Sequence, residues 1–212
     1  STDGRTLFVC NRFDNTVAFY ELTSGKVVAR VAVPREPVAA ALTPDGRRLL
    51  VANHLHPGRA DLDYVAASVS VIDTTTRAVV REIQLPNGSG LLRDVRVSPD
   101  GHYAIVTHQL SRFQLPTTQV ERGWINTNAV SLIDVRELRR INTVLLDSID
   151  AGAANPWAAA WSADGRSFGV THAGTHELSM VDFPALLARL ARFSGESPPG
   201  TAGVSDMASQ KA

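Results

Sequence analysis

The sequence lacks the features that several classes of protein require. Cys10 is the single cysteine among 212 residues, so the chain has no disulfide between two of its own cysteines, no cysteine-rich metal site and no Cys-x-x-Cys-His haem attachment motif. No apolar run approaches the roughly 20 residues of a membrane-spanning helix. Lysine occurs only twice, and 21 basic residues balance 21 acidic ones, which argues against nucleic acid or an anionic membrane as a partner.

The chain does have the composition of an ordinary globular protein, with 44% hydrophobic and 20% charged residues, and it contains a recurring turn. Ser-Thr-Asp-Gly, Thr-Pro-Asp-Gly, Ser-Pro-Asp-Gly and Ser-Ala-Asp-Gly begin at residues 1, 43, 98 and 162. Pro presets φ, Asp bonds its local backbone and Gly accepts a positive φ, so the pattern predicts a tight turn. A short run rich in Val, Leu, Ile and Phe follows each copy, which predicts a strand after each turn.

Four short strands are predicted in each repeat. In the second repeat they cover 47–53, 68–73, 78–85 and 94–97. This pattern predicts an all-β chain, a β-propeller of four-stranded antiparallel blades with the last strand of each repeat nearest the axis. About three and a half blades are present, and the chain begins and ends inside a blade. We therefore expect a piece of a longer protein, or a chain that completes its ring by association.

The repeats differ in length mainly between their first and second strands, where the third repeat has its longest connection at 109–127. The remaining extra length precedes the innermost strands, at 86–93 and 148–156. In an up-and-down blade both kinds of connection emerge on one face, and the Asp-Gly turns emerge on the other. Binding residues concentrate on long loops that a rigid scaffold holds, so we expect function on the face with the long loops.

The chain is predicted to divide into three parts. Residues 1–182 form the blades. Pro184 then opens an amphipathic segment, which predicts a helix at 183–193 that packs on a blade edge, with a partner-binding or membrane-surface helix as the alternative. Residues 194–212 are rich in Gly, Ser, Pro and Ala, which predicts a flexible linker or tail.

Histidines recur at or just after the end of the first strand in three repeats, as His54, His108 and His172. Because strand ends of successive blades approach one rim, a shared metal ion or ligand is one hypothesis. We favour the other, in which these histidines cap backbone groups of the loops. The Asp-Leu-Asp sequence at 61–63 lacks the spacing of a calcium loop, and local Asx turns or an ion pair with Arg59 are favoured there.

The longest loop combines arginine, aromatic and amide side chains, namely Arg112, Phe113, Arg122, Trp124, Asn126 and Asn128. Trp and Arg are frequent anchors of protein interfaces, which favours a protein contact; the alternative is a loop that folds back over its own blade and buries Trp124. No Ser-His-Asp order, phosphate loop or carboxylate pair predicts a catalytic or metal site. The candidate partner or ligand face therefore comprises His54, His56, Arg59, His108, Arg112, Arg122, Trp124, Asn126 and His172.

The repeated pattern of Ser-Pro-Asp-Gly, Leu-x-Val-Ala-Asn, Asp-Asn-Thr-Val and Gly-Lys-Val-Val resembles the bacterial YVTN-type β-propeller repeats, nearly to Asp182. The resemblance implies a seven-bladed ring and a periplasmic or extracellular location. The inserts at 54–61 and 107–128 are similar to those of a subgroup whose propeller is fused to, or acts beside, a c-type cytochrome resembling dihaem peroxidases. This chain has no haem attachment motif. The resemblance therefore implies that the chain itself holds no cofactor and that a missing domain or a partner holds the haem.

Two functions are compatible with these features. The first is a non-catalytic scaffold or binding module that presents its long-loop face to a protein partner or fused domain, with a c-type cytochrome as the candidate. The alternative is a redox or hydrolytic propeller enzyme, cytochrome-peroxidase-like or lactonase-like, that uses the axial cavity. A deep pocket flanked by His54, His108 and His172 would favour the enzyme, and a shallow rim dominated by Arg122 and Trp124 would favour the module.

Overall fold

A computed structural model describes residues 1–111, 125–147, 152–193 and 204–206, the last three by their backbone alone. Strands dominate, and one helix follows the last blade. In chain order the elements are β1 (Thr6–Asn11), a short 3-10 turn (Arg12–Asp14), β2 (Thr16–Glu21), β3 (Lys26–Ala32), β4 (Pro37–Leu42), β5 (Arg48–Asn53), β6 (Ser68–Asp73), β7 (Ala78–Gln84), β8 (Ser89–Val97), β9 (Tyr103–Ser111), β10 (Asn126–Asp134), β11 (Arg139–Leu145), β12 (Pro156–Trp161), β13 (Ser167–His172), β14 (Glu177–Asp182), α1 (Phe183–Phe193) and β15 (Val204–Asp206).

The strands form four successive sheets with the orders β1-β2-β3, β4-β5-β6-β7, β8-β9-β10-β11 and β12-β13-β14. Neighbouring strands within each sheet are antiparallel, and β15 adds to β11 in parallel. These sheets are the blades of a propeller whose ring is open, so the predicted fold class is confirmed. No helix in the described ranges is long and apolar enough to cross a membrane.

Each blade begins with the last strand of the preceding sequence repeat. The innermost strands β4, β8 and β12 pair with the first strands of the next repeats, β5, β9 and β13. The prediction that 86–93 is a loop is wrong in part, because β8 already begins at Ser89. Ser89 and Gly90 pair with Leu110 and Gln109 in a matching extension of β9, before the register shifts ahead of Asp94.

The Asp-Gly turns have one hydrogen-bond pattern in all four copies. In the second copy the Thr43 hydroxyl donates to Oδ1 of Asp45 at 2.5 Å, and the same carboxylate oxygen accepts from the Arg47 amide at 3.0 Å. The Arg48 amide donates back to the Thr43 hydroxyl at 3.0 Å. The other turns repeat these bonds from a serine. The hydroxyl at the first position therefore closes the turn together with the carboxylate.

Consecutive turns also touch one another. A methyl group on Gly101 would lie 3.1 Å from Cδ of Pro44, and one on Gly165 would lie 3.6 Å from Cδ of Pro99. Each glycine thus faces the second residue of the preceding turn. The contacts place the turns in a row at one end of the open ring, which fits strands that fan about a common axis.

Apolar layers between adjacent sheets form the core. Phe19 packs with Leu49 and Val51 between the first and second sheets, and equivalent layers separate the second from the third and the third from the fourth. The helix α1 has the bounds expected from the sequence, and Phe183, Leu186 and Leu190 bury its apolar side in the last layer. The division of the chain into blades, helix insert and tail stays a prediction.

We predict that Gly101→Ala destabilises the protein more than Gly165→Ala. Both glycines have positive φ, of 74° and 68°, where a side chain costs roughly 1–2 kcal/mol. Only at position 101 would the new methyl group also press on Pro44. We expect about 2 kcal/mol or more to be lost at 101 and about 1 kcal/mol at 165, measured by urea unfolding. Equal losses would show that contact between neighbouring turns contributes nothing to stability.

Candidate functional site

The strand order separates two ends of the molecule. The long-loop face comprises the connections 12–15, 33–36, 54–67, 85–88, 146–147, 152–155 and 173–176, together with Ile125. The turn face comprises 22–25, 43–47, 74–77, 98–102, 135–138 and 162–166. Hydrogen bonds join neighbouring long connections, since Arg35 donates to the His56 carbonyl at 3.0 Å and the Ser111 amide donates to the Gly88 carbonyl at 2.8 Å. The long-loop face is therefore one continuous surface.

Asn53, His108 and His172 occupy the same position in three successive blades, and each reaches a serine on the neighbouring strand. The distances are 2.8 Å from Asn53 Nδ2 to Ser70 Oγ, 2.8 Å from His108 Nε2 to Ser131 Oγ, and 2.8 Å from His172 Nε2 to Ser179 Oγ. All three side chains are buried. This cross-strand bond to serine is a feature that the sequence analysis missed, although the serines recur three residues before Asp73, Asp134 and Asp182.

Burial keeps these histidines neutral. Removal from water lowers the pKa of His108 to about 4, and the hydrogen bond to the Gln109 carbonyl offsets only part of that effect. Burial also lowers the pKa of His172. Each ring thus serves as a neutral hydrogen-bonding group within its own blade. A direct role for either residue in binding a partner or ligand stays a prediction.

The candidates on the 54–67 connection bond mainly to protein backbone. His54 Nδ1 lies 2.8 Å from the Leu92 carbonyl of the next blade, and His56 Nδ1 lies 3.0 Å from the Ala66 carbonyl. Arg59 pairs with Asp61 on the exposed part of the loop, which is the ion pair that the sequence favours. Within the part of the chain that the structure describes, no group of three or more His, Cys, Asp or Glu side chains is placed to hold a metal ion.

Part of the predicted partner face falls on the longest loop. Arg112, Arg122 and Trp124 lie outside the described residues. Asn126 is exposed at the start of β10, where its Oδ1 accepts a hydrogen bond from the Ser111 hydroxyl at 2.9 Å. The structure therefore assigns a position to Asn126 on the long-loop face.

A buried carboxylate, which the sequence analysis missed, organises the connection into the fourth blade. Asp147 accepts hydrogen bonds from the Asn128 amide at 2.6 Å, from Asn128 Nδ2 at 2.8 Å and from the Ala153 amide at 2.6 Å. Asn128 in turn accepts from the Asn155 amide at 3.0 Å. Asp147 and Asn128 thus fix the long-loop face where it joins β12, and no repeated pattern in the sequence marks this pair.

A cavity of about 320 Å³ that opens to solvent lies beside the innermost strands at the long-loop end of the ring. Val38, Arg93 and Trp157 line it from equivalent positions of β4, β8 and β12, and the other lining residues are Cys10, Arg12 and Pro37. We call this space the axial cavity. His54, His108 and His172 are not among its lining residues, so the histidine-flanked pocket that would favour an enzyme is not found in the described part of the chain.

The polar groups of the axial cavity are cationic or neutral. The Arg93 guanidinium lies 4.4 Å from the centre of the Trp157 ring, and Arg12 pairs with Glu36 at 2.9 Å. Burial raises the pKa of the Cys10 thiol to about 11, so the thiol stays protonated at neutral pH, as expected for a small strand residue. The sequence does contain a signal for this site, because an arginine and a tryptophan occupy the innermost-strand position that Val38 fills in the second blade.

With this geometry established, comparison with known proteins gives one curated relative. The chain is 30% identical over 154 residues to hydrazine synthase subunit beta of Kuenenia stuttgartiensis, a match that covers 71% of this chain and 37% of that protein. The chain resembles hydrazine synthase subunit beta. No family model matches the sequence.

A solved structure titled Kuenenia stuttgartiensis hydrazine synthase superimposes with a TM-score of 0.64 at 21% identity. The match covers 90% of this chain and 65% of the hydrazine synthase chain. At this level of identity the superposition establishes the propeller fold. This chain spans less than two thirds of the length of either hydrazine synthase relative.

We predict that His108→Asn flattens the pH dependence of stability. The folded pKa of about 4 lies below the ordinary value of 6.5, so the unfolded chain takes up a proton that the folded chain does not. The free energy of unfolding should therefore be highest above about pH 6.5 and fall as the pH is lowered to about 4. Asparagine, which occupies the equivalent position 53, does not titrate and removes the contribution of His108 to this slope.

The measurement is urea unfolding across this pH range, with His176→Asn as the matched control because His176 is exposed in a turn. His54 and His172 have pKa values lowered in the same direction, so the slope should be reduced and not abolished. An unchanged slope in His108→Asn would contradict the interpretation of a buried neutral ring.

Proposed function

We propose that this chain is a non-catalytic β-propeller module that acts within a multi-subunit assembly and contacts a protein partner through its long-loop face. One support is the 30% identity to a protein that is itself named a subunit. The other, on which the choice of face depends, is the distribution of exposed apolar side chains. A binding module needs such a surface, whereas an enzyme needs a set of reacting groups.

Exposed aromatic residues gather on the long-loop face. Phe13, which is 85% exposed, and Tyr64 lie in its connections, and Trp157, which is 49% exposed, lies beside it at the start of β12. Leu62 and Ile125 add exposed aliphatic side chains to the same face, whereas Leu22 is the one large apolar side chain exposed on the described turn face. Exposed aromatic side chains are frequent anchors of protein interfaces.

The finer proposal concerns the partner and the compartment. We propose that the blades of this chain are YVTN-type repeats of the subgroup found with dihaem peroxidase-like domains. We also propose that the protein is periplasmic or extracellular. The partner would be a c-type cytochrome or a fused cytochrome domain, which would hold the haem. The supports are the inserts at 54–61 and 107–128 and the absence of a haem attachment motif in this sequence. We assign no reaction to this chain.

We predict that Phe13→Ser weakens binding to the c-type cytochrome of the same assembly by about tenfold or more, because an exposed aromatic anchor is lost. Leu22→Ser is the matched control, since Leu22 is half exposed on the turn face. Calorimetric titration of purified cytochrome into each variant measures the dissociation constant.

Three results would count against the proposal. Equal weakening by Phe13→Ser and Leu22→Ser would refute the choice of face. Unchanged binding in Phe13→Ser would show that Phe13, the most exposed aromatic side chain of the long-loop face, does not anchor the partner. If the unaltered protein does not bind the cytochrome, the cytochrome is not the partner.

A further inference from the structure

Arg93 is a cation without a hydrogen-bonding or ionic partner among the described residues. Its buried Nε–H donates to no neighbour, and its guanidinium carbon lies over the ring of Trp157, 4.4 Å from the ring centre. The equivalent residue of the previous blade is Val38, so the scaffold does not need a charge here. A partly buried charge without a counter-ion is unfavourable, so a ligand of opposite charge would be favoured beside Arg93.

A second arginine lies close enough to act on the first. Burial lowers the pKa of Arg93, and the nearby charge of Arg12 lowers it further. Glu36 is the carboxylate near this pair, but it already binds Arg12 at 2.9 Å and lies 3.6 Å from Arg35. Two guanidinium groups thus share one carboxylate, and with Arg93 the mouth of the axial cavity carries an excess of positive charge.

The remaining walls of the axial cavity fit a small anion. Pro37, Val38 and the Trp157 ring are apolar, and the Cys10 thiol is protonated at neutral pH. The volume of about 320 Å³ is at the lower end of the range for small-molecule pockets. Guanidinium groups bind carboxylates and phosphates through two parallel hydrogen bonds, which Arg93 is free to donate in this arrangement.

We propose that the axial cavity binds a small oxyanion, either a carboxylate or inorganic phosphate, held by Arg93 and Arg12 beside the ring of Trp157. Arg93 donates to the two oxygens of the ligand while its face stays on the tryptophan. Arg12 contributes a second positive charge from the first blade. The ligand thereby joins the first, third and fourth blades at their inner edges. This site does not depend on the protein partner proposed above.

The test titrates inorganic phosphate and, separately, acetate into the protein at constant ionic strength, with chloride as the balancing salt. Binding is followed by calorimetry and by tryptophan fluorescence, since the ligand would sit against Trp157. We expect saturable binding of at least one of the two anions. Arg93→Gln should weaken it by at least about tenfold, because charge-assisted hydrogen bonds are lost, and Arg93→Lys should recover part of the affinity.

Arg139→Gln is the matched control, because Arg139 is exposed, lies at the turn end of β11 and has its own partner in Glu137. It should leave anion binding unchanged. Trp157→Phe should remove the fluorescence response while calorimetry still detects the ligand, which assigns the signal to this cavity. A structural role for Arg93 makes a different prediction, namely that Arg93→Gln lowers the melting temperature in the absence of added anion.

Three results would overturn the proposal. The first is no saturable binding of phosphate or acetate by the unaltered protein. The second is equal weakening by Arg93→Gln and Arg139→Gln, which would indicate a general effect of charge. The third is a lower melting temperature for Arg93→Gln combined with unchanged anion affinity, which would make Arg93 a packing residue only.

Discussion

The structure depends on the burial of both faces of each inner sheet between its neighbours. In β5, Leu49 and Val51 contribute to the layer shared with the first blade, and Leu50 and Ala52 to the layer shared with the third. A sheet with two apolar faces cannot be stable in water on its own, because both faces would be exposed. Each blade is therefore stable only as part of a stack. The consecutive apolar residues in these strands are the direct consequence.

The same constraint explains how the molecule separates stability from function. The layers between blades fix the direction of every strand, so the Asp-Gly turns all lie at one end of the ring and the longest connections all lie at the other. Packing leaves the long connections free to vary in length and composition. The exposed residues Phe13, Tyr64 and Trp157 all lie at that end, whereas the turn face exposes mainly polar groups and backbone.

Much of the fold could be predicted because the decisive chemistry is local and repeated. The Asp-Gly turns depend on residues within five positions of one another, and the strands follow them as apolar runs. The extension of β8 to Ser89 could not be predicted, because it depends on pairing with Leu110. The contact of Arg93 with Trp157 joins innermost strands of different blades, and only the angle between blades brings those side chains together. Asp147 and Asn128 meet within one blade, where the chain just after β11 reaches β10, and no repeated sequence pattern marks that contact. Arg112, Arg122 and Trp124 stay predictions.

The offset between sequence repeat and blade decides what a break in the chain would do. A cut within the turn 98–101 falls inside the third sheet, between β8 and β9, so the two fragments would still share the main-chain hydrogen bonds between these two strands. A cut at 85–88 falls between the second and third sheets, and the fragments would be held mainly by side-chain packing. Fragments produced by a cut within a short turn can therefore still reassociate, because the strands on either side of the cut pair with each other.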